Sequence, residues 1–77
     1  MIHAREDYNR IQDPEKKIPE DEPVFLLRAQ DKTAAQIVRL WASAQRKNPK
    51  ADKKLIEMVE HHADRMEEWA KQKWADL

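Results

Sequence analysis

Apolar positions change spacing three times along the chain, and each change predicts a different kind of element. Over residues 1–23 they are sparse: after Met1 and Ile2 only Tyr8, Ile11 and Ile18 are sizeable. Pro14, Pro19 and Pro23 fall within the same stretch, where they remove amide donors and forbid a continuous helix. This predicts an irregular, Pro-rich arm, either anchored on a helical body by its few apolar groups or left free. Residues 24–27, Val-Phe-Leu-Leu, form an unbroken apolar run too short for periodicity to separate strand from helix. With no second strand-like run in the chain, a strand here would have to pair across a subunit interface. The reading is a short helical or extended segment docked on the core.

Beyond residue 30 the spacing turns helical. Over residues 31–47, Ala34, Ile37, Val38, Trp41 and Ala44 share one side at 100° per residue. Lys32, Gln36, Arg39, Ser43 and Arg46 share the other. Asp31 is placed to cap this helix, and Asn48-Pro49 ends it. Over residues 52–76 a longer helix is predicted, again opened by an aspartate, Asp52. There Leu55, Val59, His62, Met66, Trp69 and Lys73 recur at spacings of 4, 3, 4, 3 and 4, a heptad-like seam. Met58 flanks it on one side and Ile56, Ala63, Ala70 and Trp74 on the other, giving an apolar arc of roughly 160°. At about 1.5 Å per residue the second helix runs roughly 35 Å and the first roughly 25 Å, so the first cannot cover the second. The pattern therefore predicts an all-α helical hairpin, residues 24–77, preceded by an extended acidic arm, residues 1–23. Leu55, Met58, Val59, His62, Met66, Trp69 and Trp74 are the expected surface of a homo-oligomer. Trp41 and Trp69 are expected in the core.

Composition narrows the chemistry. The 77 residues contain no glycine and no cysteine. That excludes a P-loop, a dinucleotide-binding turn, a nucleophile elbow, a disulfide and a thiolate metal site. No cofactor is expected. Ser43 and Thr33 have no histidine near them in sequence, so no nucleophilic site is predicted and catalysis is not expected. His61 and His62 share a helix with Glu57, Glu60 and Asp64. One helix face offers only two ligands, short of the three or four a metal needs, so no metal residue is assigned. A metal shared across an oligomer axis stays an alternative to His62 setting register in the seam.

The chain has 15 basic and 15 acidic groups, but they are not evenly spread. Residues 1–23 carry 4 basic and 7 acidic groups, residues 24–54 carry 8 and 2, and residues 55–77 carry 3 and 6. Overall neutrality argues against a generic nucleic-acid coat. The basic middle has three readings: a site for a phosphate-bearing ligand, self-complementarity with the acidic flanks, or a solvated face. On the first, Arg28, Lys32, Arg39 and Arg46 are the phosphate contacts, and Tyr8, Arg10, Gln12 and Gln30 the base contacts. Residues 1–7 hold no apolar leader and no run is long enough to span a bilayer, so a cytoplasmic protein with no membrane partner is expected.

The block Ile18-Pro-Glu-Asp-Glu-Pro-Val-Phe-Leu-Leu-Arg-Ala-Gln-Asp-Lys-Thr-Ala-Ala, continuing to Trp41-Ala42, resembles a group of very small phage and prophage proteins. The Tyr8-Asn9-Arg10-Ile11-Gln12-Asp13-Pro14 stretch and His62-Ala63-Asp64-Arg65-Met66 are similar too. The resemblance covers most of the chain and carries no catalytic residue over. It implies a phage accessory context in which a non-enzymatic protein acts against host defence. Three functions fit, in this order: a homo-oligomer that sequesters a small anionic nucleotide signal, an inhibitor or adaptor that docks on a host protein, and a structural phage component without a ligand.

Overall fold

The computed structural model describes residues 1–4 and 12–74. In chain order it has β1 (Ile2–His3), β2 (Pro23–Val24), α1 (Ala34–Gln45) and α2 (Lys53–Glu67). The two helices pack against each other, so the predicted helical hairpin stands. It is not purely helical, because β1 and β2 form a two-stranded parallel sheet with Ile2 opposite Pro23 and His3 opposite Val24. The Ile2 amide donates to the Glu22 carbonyl at 2.7 Å. The strand at residue 24 therefore finds its partner inside the chain, correcting the expectation that only another subunit could supply one. Two residues at the start of the chain were too short a run to read as a strand. Between the strands, the Asp13 carboxylate accepts the Lys17 and Ile18 amides at 3.1 and 3.0 Å, closing a turn around Pro14. Tyr8 and Ile11, expected as anchors of the arm, lie outside the described residues.

Both helices are shorter than the pattern predicts. α1 begins at Ala34 rather than residue 31 because the Asp31 carboxylate turns onto the amide and hydroxyl of Thr33, both at 2.8 Å. An Asx turn of this kind satisfies the same groups a helix start would use. Asp52 does cap α2, its carboxylate accepting the Lys54 and Leu55 amides at 2.9 and 3.4 Å. α2 stops at Glu67, not near residue 76. Beyond it, residues 68–74 fold back along residues 30–32. Lys32 N donates to the Lys73 carbonyl at 3.0 Å and Lys73 N to the Gln30 carbonyl at 2.7 Å. The Gln72 amide adds donors to the Met66 and Ala29 carbonyls, at 3.0 and 3.4 Å. These bonds replace the helical ones that good helix formers over 68–74 would otherwise make. With 12 and 15 residues, the helices are nearly matched in length, so length mismatch does not expose α2.

The faces in contact also differ from the predicted ones. Ala34, Ala35 and Ala42 of α1 are buried, together with Ile56, Ala63 and Met66 of α2. Leu27 and Ala29 from the loop before α1, and Val38 from α1 itself, pack onto the Ala34, Ala35 and Met66 cluster. The buried line of α2 is thus rotated by roughly 75° from the Leu55–His62–Trp69 seam, at 100° per residue. Small alanines let two helix backbones approach closely, and that approach decides which side turns inward. Leu55 is half exposed, Met58 two-thirds exposed and His62 exposed. Trp41 and Trp69, expected in the core, are 49% and 53% exposed. Among the described residues no helix is long and apolar enough to cross a membrane.

Candidate functional site

The charged flank of the hairpin follows from helix spacing. Glu60, Asp64 and Glu67 recur at i, i+4 and i+7 on α2, and Arg39 and Arg46 lie seven apart on and just beyond α1. Because the helices run antiparallel, the far end of one row meets the near end of the other. Arg39 Nη1 donates to Glu67 Oε1 at 3.1 Å, and its Nη2 donates to Glu67 Oε2 at 3.0 Å and Asp64 Oδ1 at 2.8 Å. Arg46 Nη2 bonds to Glu60 Oε1. The planar guanidinium fork suits such bidentate pairing. Its hydrogen bonds to Glu67 and then Asp64 raise the Arg39 pKa further, and the same bonds to Arg39 hold the Glu67 carboxyl below the usual carboxylate range.

This geometry bears on the residues selected for phosphate. Arg39 and Arg46 are not arrayed on a free face opposite the apolar stripe; they sit beside the packed face, each bonded to carboxylates of α2. An incoming phosphate would have to displace those carboxylates. Self-complementarity within one chain is the arrangement present here. Arg28 is exposed. Lys32 places its ammonium 5.3 Å from the centre of the Trp74 ring, within cation–π range. Gln30 lies at the same place, in the bridge to Lys73. Gln12 is exposed in the arm; Tyr8 and Arg10 lie outside the described residues. The six described candidates therefore do not converge: Arg39 and Arg46 line the hairpin flank, while Lys32 meets Trp74 and Gln30 bonds to Lys73 at the returning C-terminal segment. An open depression beside the first pair is lined by Gln36, Arg39, Leu40 and Glu67.

The residues selected for an oligomer surface divide similarly. Met66 is buried within the chain and Val59 half-buried, so neither offers a face to a neighbour. Leu55, Met58, His62, Trp69 and Trp74 are exposed, but Trp69 and Trp74 lie beyond the end of α2 and do not continue its face. The apolar surface that pattern reading missed is on α1, where Ile37, Leu40, Trp41 and Ala44 are all exposed. Its signal was present: α1 carries two apolar stripes, and the pattern merges Ala34 and Val38 of one with Ile37, Trp41 and Ala44 of the other into a single face that leaves out Leu40. Phe25 and Trp74, each 71% exposed, add two aromatics outside the helices.

Among the described residues no three histidine, aspartate or glutamate side chains converge as a metal site would require. No family model, curated protein or solved structure matches the chain.

Proposed function

We propose that this chain is a non-enzymatic binding protein that works by protein–protein contact. In the phage setting that its resemblance implies, it is an inhibitor or adaptor acting on a host protein in the host cytoplasm. One observation carries the reading. Arg39 and Arg46 of the basic segment are engaged by the chain's own carboxylates, while ten large apolar side chains are exposed among the described residues. Exposed apolar surface on this scale, on a chain this small, favours a macromolecular partner over a phosphate. The aromatics Phe25 and Trp74 are the side chains we assign to that partner, because interface centres are enriched in aromatic residues.

Sequestration of an anionic nucleotide is the second reading. It is favoured by Lys32 beside the exposed Trp74 ring and Gln30, and no longer by Arg39 and Arg46.

Affinity capture from host lysate tests the first reading. The expected result is one host protein retained in stoichiometric amount and lost with Phe25→Ser or Trp74→Ser. Failure to retain any protein contradicts it. Saturable nucleotide binding lost in Lys32→Ala transfers the function to the second reading.

A further inference from the structure

Where α1 turns into α2, residues 46–54 hold five basic groups and one acid. Arg46 is bonded to Glu60. Asp52, the acid, turns its carboxylate onto the Lys54 and Leu55 amides. That leaves Lys47, Lys50, Lys53 and Lys54. All four are exposed, and among the described residues no carboxylate pairs with their ammonium groups. The connection that carries them is fixed by its own bonds. Asn48 N donates to the Gln45 carbonyl, Ala51 N to the Asn48 carbonyl and Lys50 N to Asn48 Oδ1, each at 3.0 Å. Pro49 fixes one further backbone angle. Four charges are thus held at one end of the hairpin on a backbone that is already ordered, which lowers the cost of association.

We infer that this tip is a docking knob for a carboxylate-rich patch on a protein partner. The inference rests on the reading that the chain works by protein–protein contact, and it gives that partner a chemistry. The arrangement of the lysines excludes a small anion. Lys54 lies on α2 roughly opposite the buried Ile56 and Ala63, while Lys47 follows Leu40 and Ala44 on the outer side of α1. Side chains that diverge in this way cannot close on one phosphate together, whereas a patch of several carboxylates spans them.

The surroundings of the knob argue against the larger polyanions. Glu57 stands one helical turn beyond Lys53, and the row of Glu60, Asp64 and Glu67 follows it. A nucleic-acid strand carries a charge at every nucleotide. It meets those carboxylates once it extends past the tip, and like charges repel. Between Trp41 and Trp69 there is no aromatic side chain on which a base could stack. For an anionic bilayer the missing part is a wedge. Pro49 and Ala51 are the only apolar residues of the tip, and Ala51 is half-buried, so lysine attraction has no inserted side chain to support it. A compact acidic patch on a protein meets the four lysines and stops short of the acid row.

Amide NMR titration of the full chain tests this with acetylated tetraglutamate, a short DNA duplex and phosphatidylserine-containing vesicles as probes. The expected result is saturable shifts at residues 46–54 with tetraglutamate. Binding should weaken about tenfold in the double variant Lys50→Gln/Lys54→Gln and stay unchanged in Lys71→Gln. A tip that does not respond to the peptide overturns the inference, as does equal weakening by Lys71→Gln. Tip shifts at a lower concentration of duplex or vesicle than of peptide overturn it too, by assigning the knob to phosphate. On a captured host complex, a carbodiimide joins an ammonium directly to a carboxylate. It should link Lys47, Lys50, Lys53 or Lys54 to an aspartate or glutamate of the partner, and links from other lysines alone contradict the knob. The two failures are distinguishable, because the peptide titration needs no host protein. A chain that binds tetraglutamate at the tip but captures nothing fails the functional reading; one that captures a protein while its tip ignores the peptide fails the knob.

Discussion

Arg39 grips Glu67 through both guanidinium nitrogens, at 3.1 and 3.0 Å, and Glu67 is the last residue of α2. The pair thus ties the middle of one helix to the end of the other, next to the point where the chain folds back toward Gln30. Asp64 shares the same guanidinium. Together with Arg46 and Glu60, these groups form a flank on which two arginines of the basic stretch are matched by carboxylates.

The pH dependence follows from the direction of the Glu67 shift. Arg39 lowers the folded carboxyl pKa below its ordinary value, so the pair stabilises the fold at neutral pH. That contribution is lost as pH falls from the ordinary carboxylate value through the lower folded one. Thermal melts between about pH 5 and about pH 3 should show wild type losing more stability than Glu67→Gln. Because the groups are solvent-exposed, added salt should shrink the difference. A gap between the two proteins that ignores pH across this window contradicts the assignment.

The rotation of α2 makes two adjacent residues behave oppositely. Ile56 is 3% exposed and Leu55 is 50% exposed. Truncating Ile56 to alanine should cost about 2–5 kcal/mol in urea unfolding. The same change at Leu55 should stay within about 0.5 kcal/mol. The seam read from sequence predicts the reverse order, so one pair of denaturation curves separates the two.

Removing the α2 cap gives a third expectation. Asp52→Ala leaves the Lys54 and Leu55 amides without their acceptor. The expected loss is about 1 kcal/mol, or about 5 °C in Tm for a domain of this size. Asp52→Asn should recover most of it, since its side-chain oxygen caps as well.

What the sequence made legible was local. The hairpin, the cap at Asp52 and the break at Asn48-Pro49 all follow from nearby residues. What it hid was decided at a distance. Hydropathy ranks Trp41 above Ala42 and Leu55 above Ala63, so pattern reading placed Trp41 in the core and Leu55, not Ala63, on the seam of α2. Close packing of alanines and the Arg39–Glu67 pair turned the other faces inward. The end of α2 was hidden for a related reason, since residues 68–74 suit a helix and leave it for bonds to residues 29–32. The basic segment was visible as a count, but the pairing of its Arg39 and Arg46 with Glu60, Asp64 and Glu67 depends on the antiparallel register of the two helices. The predicted site residues are separated as well, with Lys32 against Trp74 and Gln30 bonded to Lys73 while Arg39 and Arg46 line the contact between the helices.

The central claim is that Arg39 and Arg46 are already satisfied by carboxylates of the same chain, so the chain binds through contact surfaces and not as an anion trap. Calorimetric titration with a panel of cyclic, oligophosphate and ADP-ribose-type nucleotides tests it most directly. The account predicts no saturable heat, in wild type or in Arg39→Ala. Saturable heat with wild type that disappears in an Arg39→Ala protein of unchanged helix content would contradict it.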